Sequence, residues 1–463
     1  MIELSNATCS EQHRTELANQ RLRLGRGMTL VEMLVAMAAS LIMLALVAQL
    51  MAMFGKGMNA SRKGAEVYES LRAATERLKQ DLSGLTAEFS VPLAPEKGMG
   101  YFEYIEGQGS DQIDYRLGTP HDKTSMTASE SLTAFGSDDR LLGDIDDILL
   151  FTTRATDTLF AGKLDTKGIE SPVAEVVWYC RPIPGSVNPT LYHLCRRQLV
   201  VMANPVQLLG QGQTGTFSSP GRPNVEPFTS WSNLLSKTDV ACRKQGGFAI
   251  PNTLGDLTKR ENRFCRQTSF PYAFDQSSDY LSFQSNDLRF GQDVILTNCL
   301  GFDVRVLDEN VELRSIGDVL VAPGDPGYGV GTPLSSSMPV YVDLNFGNDT
   351  TPKSIGTSPW HGSSIFESPG LKVGTLNTNK TLTRTYDTWS THYETNSLDD
   401  DGDGLTDEGH DGIDNNNNGQ IDEFAEAETS PPYPTPIRGI EIRVRCYEPY
   451  SKQVLQITIR QSL

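Results

Sequence analysis

Between residues 399 and 428 this 463-residue chain carries twelve carboxylates and no lysine or arginine, and their spacing is that of ligands. The segment DDDGDGLTDEGHDGIDNNNNGQIDEFAE repeats itself with a shift of fifteen. Asp399, Asp401, Asp403, Gly404, Asp407 and Glu408 correspond to Asp414, Asn416, Asn418, Gly419, Asp422 and Glu423. Oxygen side chains at loop positions 1, 3, 5 and 9, with glycine at 6 for a sharp turn, suit a hard cation that needs roughly six to eight oxygens. The backbone carbonyls of Leu405 and Gln420 take position 7. Glu32 stands out for a different reason: it is an acid at the start of a nearly unbroken apolar run. An unpaired acid at a bilayer centre costs on the order of 2.5–3.5 kcal/mol, less near an interface, so Glu32 calls for a partner.

The repeat resembles the DxDxDG calcium loops of EF-hands, dockerins and thrombospondin type 3 repeats. It departs from the EF-hand at position 12, where a bidentate glutamate is required and this chain has His410 and Ala425. Glu408 and Glu423, or Asp411 and Glu426, are the candidates to complete the shell. Flanking helices are not evident, so the resemblance implies a compact calcium module of another kind. The competing expectation is a solvated acidic loop extended by its own repulsion.

The element that positions Glu32 is a helix. From Met33 to Phe54 the only polar side chains are Ser40 and Gln49, and a helix of that length rises about 33 Å, enough to cross a hydrocarbon core of roughly 30 Å. Arg21, Arg23 and Arg26 precede it, and the weaker basic set Lys56, Arg62 and Lys63 follows, which favours a cytoplasmic N-terminus. A secretory signal would have a shorter apolar core followed by a small-residue cut. Helical spacing continues through Val67, Leu71, Ala74, Leu78 and Leu82, with Gly55 and Gly57 as points where the helix could loosen.

The stretch GRGMTLVEMLVAMAASLIMLALVAQLMAMF, residues 25–54, resembles the N-terminal signal of type IV prepilins and type II secretion pseudopilins. The resemblance implies cleavage by a prepilin peptidase after Gly27 and N-methylation of Met28. It makes Glu32 the assembly acid that meets the N-terminal amine of a neighbouring subunit. Phenylalanine is commoner than methionine at the Met28 position. The likeness also implies other pilin or pseudopilin subunits as partners, and a single-pass inner-membrane protein with a periplasmic or extracellular C-terminal domain. An ordinary anchor with an interfacial acid is the alternative.

Removing residues 1–27 would remove Cys9 and leave Cys180, Cys195, Cys242, Cys265, Cys299 and Cys446. An even set fits disulfides in an oxidising compartment, with Cys180–Cys195 and Cys242–Cys265 the most local pairings among fifteen complete ones. No CxxC or HExxH segment is present. The formal charge is −18, but outside residues 399–428 only 46 acids face 40 basic residues, so nothing recommends nucleic acid as a partner.

Beyond the helix the pattern is one of strands: 147–153, 174–180, 192–202, 293–307, 437–446 and 454–459. In IEIRVRC, Ile440, Ile442, Val444 and Cys446 alternate with Glu441, Arg443 and Arg445, as in a half-buried antiparallel strand. The expected fold is α+β, a long helix packed through Leu71, Leu78 and Leu82 on an antiparallel sheet. The organisation expected is a leader (1–27), a transmembrane helix (28–54), the soluble half of the helix (55–90), a β domain (91–308) with an insertion at 203–290, a second insertion (309–436) holding calcium loops at 399–426, and C-terminal strands (437–463). The segments DILLFTT, VVWYC…LYHLCRRQLV and RGIEIRVRCYEP resemble, more loosely, J-type minor pseudopilins. K-type tip pseudopilins characteristically lack the acid found here at Glu32.

No nucleophile elbow, histidine-based metal motif or phosphate loop occurs, so no catalytic site is expected. The expectation is a filament subunit with a calcium-stabilised insertion. The alternative is a membrane-anchored calcium-dependent adhesin that uses the helix as a mount.

Overall fold

Thr29 opens the longest element of the chain. Its hydroxyl accepts the Glu32 backbone N–H, while the Glu32 carboxylate accepts the Thr29 N–H at 2.9 Å, a reciprocal cap on the first turn. In this computed structural model the helix that follows, α1, runs Leu30–Ser83 without a break at Gly55 or Gly57. The structure describes residues 29–90, 92–107, 113–114, 119–120, 142–164, 167–186, 191–202, 218–219, 222–223, 226–227, 231–245, 247–275, 289, 291–323, 331–344, 359–360, 384–400, 404–423, 426–433 and 435–463.

The chain divides into two units, Met1–Lys63 and Gly64–Leu463. In the first, the large apolar side chains from Leu30 to Phe54 are exposed, and the helix is long and apolar enough to cross a membrane. In the second, Leu71, Ala74, Leu78 and Leu82 are buried at spacings of three and four, one stripe of the helix. Gly84 then turns the chain tightly: a Cβ there would lie 2.1 Å from the Arg154 carbonyl oxygen.

Ten strands form the main sheet: β1 (Phe102–Ile105), β2 (Ile148–Arg154), β3 (Val173–Pro182), β4 (Tyr192–Val200), β5 (Val294–Ile316), β6 (Val319–Val321), β7 (Thr332–Val342), β8 (Thr385–Asp387), β9 (Gly439–Glu448) and β10 (Gln453–Ser462). Their order is β8-β1-β2-β3-β4-β5-β9-β10, all neighbours antiparallel, with β6 and β7 also on β5. The fold is thus mixed helix and antiparallel sheet.

Period-two alternation sorts the strand residues into two layers. Phe102, Leu149, Phe151, Val176, Trp178, Val304 and Ile442 pack in one core with the buried stripe of α1. Leu150, Val177, Tyr179, Cys195 and Leu199 face the other way, against Leu235, Ala241, Leu257, Phe264 and Phe274. The first expected insertion therefore supplies, from residues 231–275, the cover over the second face of the sheet. The second departs further from expectation. Residues 309–316 continue β5, and 319–321, 332–342 and 385–387 add β6, β7 and β8 to the main sheet, where the sequence showed only loop-like composition. Their short or bulged pairings leave a weak periodic signal: β5 and β7 slip register twice.

Candidate metal centre

Among the described residues, the two copies of the acidic repeat share their turn geometry at matching positions. Gly404 (φ +96°) and Gly419 (φ +91°) occupy the left-handed region that favours glycine, and Asp407 and Asp422 share φ +54°. The Gly404 N–H bonds Asp399 Oδ2 at 3.0 Å, and fifteen residues on the Gly419 N–H bonds Asp414 Oδ2 at 2.8 Å. Asp407 accepts the Ser397 N–H, as Asp422 accepts that of Gly412. The sequence repeat is a structural repeat. Asp407 and Asp422 are turned toward the preceding turn, each capping an N–H ten residues earlier.

In the second loop hydrogen bonds gather the side chains. The Asn418 N–H reaches both Asp414 Oδ1 and Asn416 Oδ1 at 3.0 Å, and the Gln420 N–H bonds Asn418 Oδ1 at 2.9 Å. Glu423 Oε1 accepts from the side-chain amides of Asn416 and Asn418, and Glu426 Oε1 accepts the Asn416 N–H at 2.9 Å. Asp414, Asn416, Asn418, Glu423 and Glu426 are thus brought together. Asp411 serves the turn that enters this loop, accepting the Ile413 N–H. In the first loop Asp401 and Asp403 lie outside the described residues, as do the expected processing residues Gly27 and Met28.

The repeat is anchored through acids. Glu428 accepts the N–H groups of Asp400 and Asp407, and Glu394 accepts those of Glu428 and Thr429 at 2.9 and 2.8 Å. Glu408, Glu426 and Glu428 are only 1, 3 and 1% exposed, in a segment with no basic residue of its own. Glu426 Oε2 has no hydrogen-bond partner. Burial pushes Glu428 up to about 7 and Asp400 up to about 6. Buried acids without cations raise the free energy of the compact state, and an oxygen-seeking cation would lower it.

A second acidic group escaped the sequence reading. Glu106, just beyond β1, and Asp144 and Asp147, in the segment entering β2, place one carboxylate oxygen each within 4.8 Å of the others, all three residues buried. Burial and the charges of Asp303 and Asp146 push the Asp147 carboxyl well above the usual range. The run GDIDD, residues 143–147, was the available signal, but it reads as an ordinary polar turn before a strand.

The arginines of the first insertion form a third charged group, between that insertion and the sheet. Arg263 bonds Glu103 Oε2 at 3.0 Å and Asp387 Oδ1 at 2.8 Å; Arg266 reaches Glu103, and Arg260 reaches Asp387. All five side chains are essentially buried. Arg263 also stacks over Tyr101, 4.1 Å from the ring centroid.

The cysteines correct an expectation. All six described cysteines are thiols, and no disulfide joins them. Cys180 stands opposite Leu194 and Tyr179 opposite Cys195, so Cys180 and Cys195 point to opposite faces of β3 and β4 and cannot pair across them. Cys242 packs in the helix-side core and Cys265 in the other. The structure instead gathers Cys180, Cys299 and Cys446: Cys299 and Cys446 are register partners, and Cys180 hydrogen-bonds Cys299. Burial pushes the Cys446 thiol up to about 12.

No family model, curated protein or solved structure matches this chain.

Proposed function

We propose that this chain is a membrane-anchored minor subunit of a type IV pilus-like or type II secretion filament, with a C-terminal domain ordered by calcium. The observation that carries the reading is Glu32, the lone acid at the head of an exposed apolar helix segment, preceded by Arg21, Arg23, Arg26 and Gly27. A prepilin peptidase would cut after Gly27, leaving Met28 as the methylated terminus, and the helix would remain as the anchor and as the packing element toward other subunits. The Glu32 carboxylate would then exchange the Thr29 N–H for the amine of a neighbouring Met28. Such an exchange replaces a hydrogen bond with one charged partner by an ion pair with two. The C-terminal domain would face the periplasm or the exterior, where calcium is plentiful, and Asp414, Asn416, Asn418, the Gln420 carbonyl, Glu423 and Glu426 would hold the second-loop ion. Asp399, Asp401, Asp403 and the Leu405 carbonyl, with Glu408, would hold the first.

The test is expression in a host that carries a prepilin peptidase. Intact-mass and N-terminal analysis should give a chain beginning at N-methylated Met28, and Gly27→Asp should leave the full-length form. Identical processing of the two would sink the proposal, as would crosslinking of the membrane form with no pilin-like subunit captured.

One observation favours a second reading, the calcium-dependent adhesin. Leu398, Leu405, Ile413 and Ile421 are between 48 and 59% exposed on the acidic module. Apolar side chains on a rim of carboxylates suit contact with another surface. Adhesion that depends on calcium and on Ile413, with no filament partner found, would select this reading.

A further inference from the structure

We propose that Glu106, Asp144 and Asp147 form a buried binding site for a hard divalent cation, calcium by its all-oxygen make-up, which fastens the two halves of the sheet where they part. This site is separate from the acidic repeat and independent of the filament reading.

The place is defined by the long strand β5. Its first residues pair with β4, as far as Cys299, and from Cys299 to Val306 it pairs with β9. Where β4 ends, the edge of β5 is taken up by the segment entering β2: the Phe302 N–H bonds the Asp144 carbonyl, and the Val304 N–H bonds Asp147 Oδ2 at 2.6 Å. The end of β1 closes the third side, with the Tyr104 hydroxyl against Glu106 Oε2 and the Val304 carbonyl. Three elements distant in sequence therefore meet through oxygens.

Tyr104 offers one O–H to three acceptors, the third being Asp147 Oδ2 at 3.5 Å. The nearby Arg305 is engaged with Asp303 at 3.0 Å and Asp343 at 3.1 Å. Asp147 is 1% exposed and its Oδ1 receives no hydrogen bond. Such a carboxyl takes up a proton when no cation is bound, and a cation would stabilise its ionised form.

The spacing fits one. Calcium sits about 2.3–2.6 Å from each ligand oxygen, so two ligands of one ion stand at most about 5 Å apart. The three oxygens lie within 4.8 Å of one another. They come without cysteine or histidine, which disfavours zinc, and three buried carboxylates leave little room for the water shell that magnesium keeps.

The experiment uses the full chain in detergent micelles, stripped with a chelator and dialysed against radioactive calcium. Four forms are compared: wild type, Asp147→Asn, a repeat variant (Asp414→Ala with Asn418→Ala), and the combination. Asp147→Asn should lower the bound calcium by one equivalent in both backgrounds. Hydrogen exchange should show calcium protecting residues 144–147 and 301–305 in the wild type and in the repeat variant, but not in Asp147→Asn. An unchanged count in Asp147→Asn, or no protection of those segments in the wild type, overturns the site. Should Asp147→Asn fail to fold, terbium luminescence decides: Tyr104→Phe should lose part of the tyrosine-sensitised emission of the wild type, and equal emission overturns the site. A repeat variant that loses calcium while Asp147 still binds it separates this inference from the calcium-ordered repeat.

Discussion

Asp81 of α1 grips Arg196 of β4 with both carboxylate oxygens, at 2.6 Å from Nε and 2.8 Å from Nη2. The Trp178 indole N–H adds a third bond at 3.0 Å, and the Thr153 hydroxyl bonds the Asp81 carbonyl. One helical residue is thereby tied to β2, β3 and β4, which fixes the rotation of the helix stripe over the sheet. Arg196→Met should leave a buried carboxylate with the indole and the longer, half-exposed Arg77 contact at 3.7 Å and cost about 3 kcal/mol, whereas Asp81→Leu with Arg196→Met should recover most of the loss. Urea denaturation of the micelle-bound chain measures both. Equal midpoints for wild type and Arg196→Met would refute the role.

Thr29 and Glu32 allow capping and assembly to be separated. Glutamine can replace glutamate in a capping box but carries no charge. Glu32→Gln should therefore insert and be processed normally, yet lose crosslinks to neighbouring subunits. Thr29→Val should cost about 1 kcal/mol of helix stability and keep the crosslinks. The reverse pattern would assign Glu32 to the helix cap alone.

Two buried glutamates predict opposite pH dependences. Burial raises Glu103, but Arg260, Arg266 and Arg263 overcome it and hold its carboxyl below the usual range. Its contribution is present above the unfolded value of about 4.3 and is lost as pH falls through the depressed folded value. Burial raises Glu175 despite hydrogen bonds from Tyr101 and the Phe264 N–H, so its folded form favours the proton. That contribution is present below about 4.3 and is lost as pH rises through the raised folded value. Glu175→Gln should flatten the decline above the carboxylate range, and Glu103→Gln should flatten the acid limb at a lower plateau. Stability measured from pH 3 to 8 reads both signs.

Calcium should stabilise the C-terminal unit. A single site at a hundredfold excess over Kd adds about 2.7 kcal/mol, so the thermal midpoint should rise with calcium and fall on chelation. Asp414→Ala with Asn418→Ala should shrink that response, with hydrogen exchange rising across residues 404–423. A midpoint indifferent to calcium in every form would count against both cation sites.

The clasp on the first insertion gives a last expectation. Arg263→Ala would leave Glu103 and Asp387 to Arg260 and Arg266, and should cost about 3–5 kcal/mol. Limited proteolysis should then cut first within residues 253–275, the segment that Arg263 ties to β1 and β8. A cleavage pattern like that of the wild type would show that the apolar layer alone holds the insertion.

Local order was legible in the sequence because its causes are local. Apolar length gave α1, three- and four-residue spacing gave Leu71, Leu78 and Leu82, alternation gave β9, and the fifteen-residue shift gave turns that repeat at Gly404 and Gly419. Only tertiary structure decided the rest. Glu103, Arg263 and Asp387 are separated by more than a hundred residues and carry no periodic signal, and neither do Glu106 and the acids at 144 and 147 that meet it at the edge of β5. Proximity in sequence misled for the cysteines: neighbouring strands bring Cys180 and Cys195 close in the chain, but the two-residue period of a strand sends them to opposite faces. Charge pairs and acidic clusters depend on where strands end and which edges stay open, and that is settled by the packing of the whole sheet.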